Sequence, residues 1–409
     1  MATFTPGNPI ETADPFIPVE GLPVGAHTFQ LVVVDDSGNP SLPAFVKVEV
    51  NKADDGRVDP KVTLVRKLAT PVDADHDPFG KELWVSANGP INAPAPTAFA
   101  QAISLEERRV VASVPIPARA GDIAVSRNPD RRVGLVANPG ARSATVISLS
   151  QREVLHVFQL KADPDGVAVT ADGTRGLAAI PATGQVIVFD LVEFRVLGEL
   201  EVGRLPSKFR LAQQSRLAFV NCLGTGEIVG IDIRKPAVVG RFPVGGGAGS
   251  QPVQFTVTEG GFPVWTANQA AASATEALSA AKIHDIPLDF KPGCIATDAE
   301  GKRAYLAGPD SERLAFIESG VGEAKFQRLI APCTGYKGVA ATREGNLVGV
   351  VHPLKQAASF LRGETLSLRS IVDGLKAPTR IMVTDDEAFF CVLDSGGNAV
   401  ALVEIPGLV

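Results

Sequence analysis

The densest set of side chains able to do chemistry is Asp73-Ala-Asp-His-Asp77. Alternate residues of an extended strand share a face, so Asp73, Asp75 and Asp77 would stand together with His76 opposite, and three carboxylates can hold a hard cation such as calcium. No glutamate follows at EF-hand spacing, and Asp77-Pro-Phe-Gly80 reads equally well as a turn. The histidines, His27, His76, His156, His284 and His352, are scattered and lack the spacing of a zinc helix or a catalytic triad. Cys222, Cys294, Cys333 and Cys391 form no CxxC pair, so core thiols are expected rather than a disulfide framework or a zinc site. Gly245-Gly-Gly-Ala-Gly-Ser250 lacks the Gly-Lys-Ser/Thr ending of a phosphate loop and is read as a flexible crossing between structural units.

The elements that must position these residues form a repeat. Asp163-Pro-Asp-Gly166, a short apolar run, Asp172-Gly173, a second apolar run to Pro181 and then Gln185-Val-Ile-Val-Phe-Asp-Leu191 read as successive strands punctuated by tight turns. Equivalent turns fall at Asp77–Gly80, Asn128–Asp130, Ala171–Gly173, Gln213–Ser215, Glu259–Gly261, Ala299–Gly301, Arg343–Gly345 and Asp385–Glu387. They lie about 40 to 50 residues apart, the length of one propeller blade. With four strands per unit, the expected fold is an all-β, eight-bladed propeller over residues 59–409, seven blades being the alternative. The last unit has only three strands of its own, so Lys61-Val-Thr-Leu-Val-Arg-Lys67 is predicted to supply its outer strand and close the ring.

The first strand of each blade lines the channel, and one position on each gives a ring: Asp73, Asp122, Gly166, Lys208, Gln254, Cys294, Gly338 and Arg380. Arg380 and Asp73 would be neighbours where blade eight meets blade one, as a structural ion pair. The other reading of the ring is a pocket for a small polar ligand, with Lys208 and Arg380 as donors, Asp73 and Asp122 as acceptors, and Gln254 beside them. Ala270–Lys282 is Ala-rich and is predicted to be a short helix on one face, and Asn92–Pro96 a stiff insertion; either could contact a partner.

Residues 1–58 have a different grammar and are expected to form a small β-sandwich-like module with a polar linker. Phe16–Val19, Gly25–Gly38 and Ala44–Val50 are its strand candidates, and alternation in the last points Val46, Val48 and Val50 inward. A half-sized sandwich leaves a face uncovered, which suggests an assembly role.

Composition bounds the function. The 409 residues carry a net charge of -6, with basic residues scattered, which argues against nucleic acid as a partner. The 40 glycines and 31 prolines suit a turn-dense β fold. There is no apolar run of membrane-spanning length, and Met1-Ala-Thr-Phe-Thr-Pro-Gly has no signal-peptide pattern. A cytoplasmic protein, or one exported without a cleaved signal into a surface layer or particle, is expected.

The repeats resemble the YVTN-type, lactonase-like β-propeller family, through Asp163–Gly166 with Asp172-Gly173, Leu83–Asn88, Gly134–Asn138, Trp265–Asn268 and Asp298–Ala307. Pro23–Pro43 resembles the last strands of bacterial immunoglobulin-like and PKD-like modules. The resemblance implies the fold and leaves function open among lactonases, haem-binding domains, surface-layer proteins and passive scaffolds. The ring, with two glycines and a cysteine, does not reproduce the acid, base and metal cluster of lactonase-like members, and no axial histidine for haem stands out. A non-enzymatic binding or scaffold protein without a cofactor is therefore the leading expectation, with an enzyme or ligand sensor at the channel mouth as the alternative.

Overall fold

A computed structural model describes residues 9–12, 22, 23, 25–50, 58–90, 97–212, 214–279, 281–309, 311, 313–320, 324–328, 338–406 and 408. The chain divides into two compact units, Met1–Arg57 and Val58–Val409.

The larger unit contains, among the described residues, eight four-stranded antiparallel sheets whose strands follow one another from the innermost outward. This is an eight-bladed β-propeller. The innermost strands, in order, are Thr70–Asp77, Ile123–Val125, Val167–Val169, Pro206–Ala212, Pro252–Val257, Cys294–Thr297, Gly338–Ala341 and Pro378–Val383. Second strands such as Leu217–Cys222 and Phe389–Asp394 are almost wholly buried, because each sheet packs a neighbour on both faces. The core is accordingly a series of clusters between adjacent blades rather than a single centre. One joins Leu177, Val188, Phe209 and Val229 of blades three and four, and another Trp265, Leu306 and Ile317 of blades five and six.

The ring closes as the sequence predicts. Val62–Val65 adds to Ala399–Glu404 as the outer strand of the eighth sheet, with Val62 opposite Val403 and Val65 opposite Val400. Val65 is buried there among Leu68, Leu83 and Leu402.

A second set of bonds joins blades at their turns, where a residue at the start of the turn donates its backbone N–H to the next blade. Arg127 N–H meets Ala171 O at 2.9 Å and Ala299 N–H meets Arg343 O at 2.8 Å. Ala171 N–H reaches Ser215 Oγ at 2.9 Å, and Gln214 N–H reaches Glu259 Oε1 at 2.5 Å. Arg343 N–H donates to Glu387, and Asp385 N–H bonds His76 Nδ1 at 3.0 Å across the junction of blades eight and one. Tyr305 sits beneath one such junction, fully buried, its hydroxyl 3.0 Å from Gly345 O and 3.2 Å from Gly363 O. Burial pushes its pKa up to about 12, so it acts as a neutral donor. Tyr305→Phe should therefore cost about 1–2 kcal/mol of stability, read by urea unfolding.

Two expectations are corrected. Ala270–Lys282 is not a helix. Ser273–Ser279 is the third strand of blade five, paired with Val264–Asn268 on one side and Lys282–Pro287 on the other. Small side chains such as Ala274 and Ala277 are buried between blades, so tertiary packing overrides the helical preference of alanine. Among the described residues, the smaller unit shows two strands, Gly25–Leu31 and Ala44–Val50, paired as a hairpin from Gly25 opposite Val50 to Leu31 opposite Ala44. Asp35 anchors the turn region by accepting from Ser37 N–H at 2.9 Å and Asn39 N–H at 2.8 Å. Val46 and Val48 do not point into a core. Both are exposed, as is Phe45 on the opposite face, because the described residues place no second layer over the two-stranded ribbon. Phe16–Val19 and Asn92–Pro96 lie outside the described residues.

Candidate functional site

Each innermost strand approaches the axis of the ring, and together they enclose a cavity of about 670 Å³ with contributions from all eight blades. Four predicted ring residues meet on its wall. Arg380 donates to Asp73 across the junction of blades eight and one, and its second terminal nitrogen lies 3.6 Å from Asp122 Oδ1. Lys208 Nζ bonds the same Asp122 oxygen at 2.7 Å and comes within 3.9 Å of Asp165. Two carboxylates and two cations from blades one, two, four and eight thus form one network.

The carboxylates also bind the neighbouring backbone. Asp73 Oδ2 faces Ile123 N–H at 3.4 Å, Asp122 Oδ2 faces Val167 N–H at 3.5 Å, and Gln254 Oε1 accepts from Ile295 N–H at 3.2 Å. A polar side chain on one inner strand satisfies a donor on the next, so Asp73, Asp122 and Gln254 have a structural duty whatever else they do.

Burial raises the Asp73 carboxyl to about 8, with Arg380 opposing the rise and Asp122 adding to it. Asp122 is moved the other way. Against burial, which would raise it, Lys208, the hydrogen bond from Asp73 and Arg380 hold it below the usual carboxylate range. The pair therefore divides labour, Asp73 tending to hold a proton and Asp122 remaining ionised.

Gln254 and Gly338 also line the cavity, whereas Gly166 and Cys294 do not. Gly166 packs so tightly on blade four that a β-carbon would lie 2.0 Å from Ser207 O, so its glycine serves blade contact. Cys294 points away from the cavity, donating its thiol toward Ala307 O at 3.4 Å, and Gly293 takes its place on the wall. Asp73, Asp75 and Asp77 do not converge as the calcium reading required, because each is bound by a separate arginine. Asp75 pairs with Arg127 at 2.8 Å and accepts Val125 N–H at 2.8 Å. Asp77 is fully buried against Arg132 at 2.6 Å. Among the described residues no three His, Cys, Asp or Glu side chains are placed to share a metal ion.

Cys222, Cys294 and Cys391 are buried free thiols, and burial pushes Cys222 and Cys294 up to about 12; Cys333 lies outside the described residues. The glycine-rich segment is the crossing between blades four and five. Its Gly245 and Gly246 N–H groups hold the Asp285 carboxylate at 2.9 and 3.1 Å.

Two wall residues escape the ring pattern. Arg127 bridges Asp75 and Asp385, the latter at 2.7 Å. Arg210 lies two residues beyond Lys208 on the same strand, hence on the same side, an alternation by which the sequence could have revealed it.

No family model matches the chain, and no curated protein matches it. Among solved structures, the chain is similar to one described as Kuenenia stuttgartiensis hydrazine synthase. The two align with a TM-score of 0.55 at 14% identity, over 83% of this chain and 97% of that one, a likeness of fold alone.

Proposed function

We propose that the protein is a non-enzymatic binding or scaffold protein, in which the propeller presents loops to a partner and the N-terminal hairpin joins copies of the chain. The observation that carries this is the hairpin's surface. Leu31, Val33, Val34, Leu42, Phe45 and Val46 are all more than half exposed, Leu42 at 91%. A two-stranded ribbon with apolar groups on both faces is marginal alone and favours association.

A second copy of the same hairpin fits best. Pairing Ala44–Val50 antiparallel with itself about Val48 sets Lys47 in register with Glu49 of the copy, twice over, which is the self-complementarity a two-fold interface needs. The carboxylates of the channel, held by arginine, lysine or backbone donors, support a binding role there over a hydrolytic one.

Light scattering on the full chain should give a dimer or larger assembly. The double variant Phe45→Glu, Val48→Glu should give monomers with an unchanged propeller melting temperature. Discrete wild-type monomers at tens of micromolar would sink the assembly reading.

A further inference from the structure

We infer that the axial cavity is a binding site for a small oxyanion, a carboxylate- or phosphate-bearing molecule, received by the guanidinium of Arg210. The inference is independent of the hairpin assembly. It rests on how the charges of the cavity wall are matched. Four cations line it, Arg127, Lys208, Arg210 and Arg380. Three are engaged by carboxylates: Arg127 by Asp75, Lys208 by Asp122, and Arg380 by Asp73. The fourth wall carboxylate, Glu259, sits in the first turn of blade five and takes the Gln214 N–H at 2.5 Å.

Among the described residues, Arg210 is left without a carboxylate partner. Within the described residues its one hydrogen bond runs from Nη1 to Phe209 O at 2.8 Å, and its guanidinium lies over the Phe255 ring, 6.0 Å from the centroid. These contacts orient the group and use one of its five N–H donors. The side chain is exposed to the water of the cavity, and the surrounding protein lowers its pKa by desolvation.

A guanidinium set over an aromatic ring inside the cavity, with most of its fork of donors unmatched, presents the geometry that carboxylate and phosphate groups satisfy bidentately. The cavity is of small-metabolite size. Because burial favours a proton on Asp73, the wall around Arg380, Lys208 and Asp122 also carries less negative charge than its composition implies.

Isothermal titration of the full chain at low ionic strength, with inorganic phosphate in one arm and malonate in the other, tests this. Saturable one-site binding of at least one probe is expected, with Kd below about 10 mM. Phosphate alone or malonate alone would each support the site and fix its ligand class. Arg210→Met should weaken binding by at least about tenfold, and Arg210→Lys should weaken it measurably while keeping the charge. Chloride at matched ionic strength should not compete. Absence of saturable binding by both probes, or wild-type affinity in whichever Arg210 variant folds, would overturn the assignment.

Discussion

Replacing Val65 with aspartate should destabilise the propeller by at least about 4 kcal/mol, because it buries an unpaired charge in the sheet that closes the ring. Val65 is 3% exposed in an apolar cluster and pairs with Val400, so the carboxylate would be cut off from water. The same substitution at Val62, 38% exposed at the start of the closing strand, should cost far less. Urea unfolding of the two variants checks this. Equal midpoints would mean that Val62–Val65 decorates a ring already closed without it.

The second large effect concerns Arg380. Arg380→Met leaves Asp73 and Asp122 beside each other with Lys208 as their nearest cation, and should cost about 2–3 kcal/mol at pH 8. That figure lies below the usual loss for a broken buried pair because the Arg380 side chain is 42% exposed in the cavity, where water screens it. At pH 5 the loss should fall below about 1 kcal/mol, since a protonated Asp73 needs no counter-ion.

The sign follows from linkage. Asp73 binds its proton more tightly in the folded state, to about 8 against an ordinary 3.8. Its contribution to stability is therefore full below about pH 4 and is lost as pH rises through about 8. Asp122, depressed in the folded state, contributes above the ordinary carboxylate range and loses that contribution as pH falls through its folded value. Asp73→Asn removes the first of these and should flatten the decline in stability between pH 4 and 8. Parallel wild-type and Asp73→Asn curves over that window would show that Asp73 carries no such proton.

What the sequence discloses here is what local chemistry enforces. Turns such as Ala171-Asp-Gly173 have their cause within a few residues, since Gly173 takes a φ of +72° and Asp172 accepts from Thr174 N–H at 3.0 Å. Once the turns were in register, the neighbours Asp73 and Arg380 followed from circular order alone. Partner choice across blades was not legible. Asp75 finds Arg127 and Asp77 finds Arg132 about fifty residues away, so a row that looked like a cation site became three separate ion pairs. Ala270–Lys282 shows the converse, a strong local helical preference overruled by packing between sheets, where Ala274 and Ala277 are buried.

The closing sheet also sets an order of events during synthesis. Seven blades are each built from consecutive strands, whereas the eighth pairs Val62–Val65 with Ala399–Glu404 from the other end of the propeller. Contacts there, such as Thr70 with Asn398 at 3.0 Å, span 328 residues. On the ribosome each blade can dock on the one before it as it emerges, yet the ring remains an open arc until Ala399–Glu404 leaves the tunnel. Through all of that time Val62–Val65 waits without its partner, and Asp73, on the first blade, waits for Arg380 on the last.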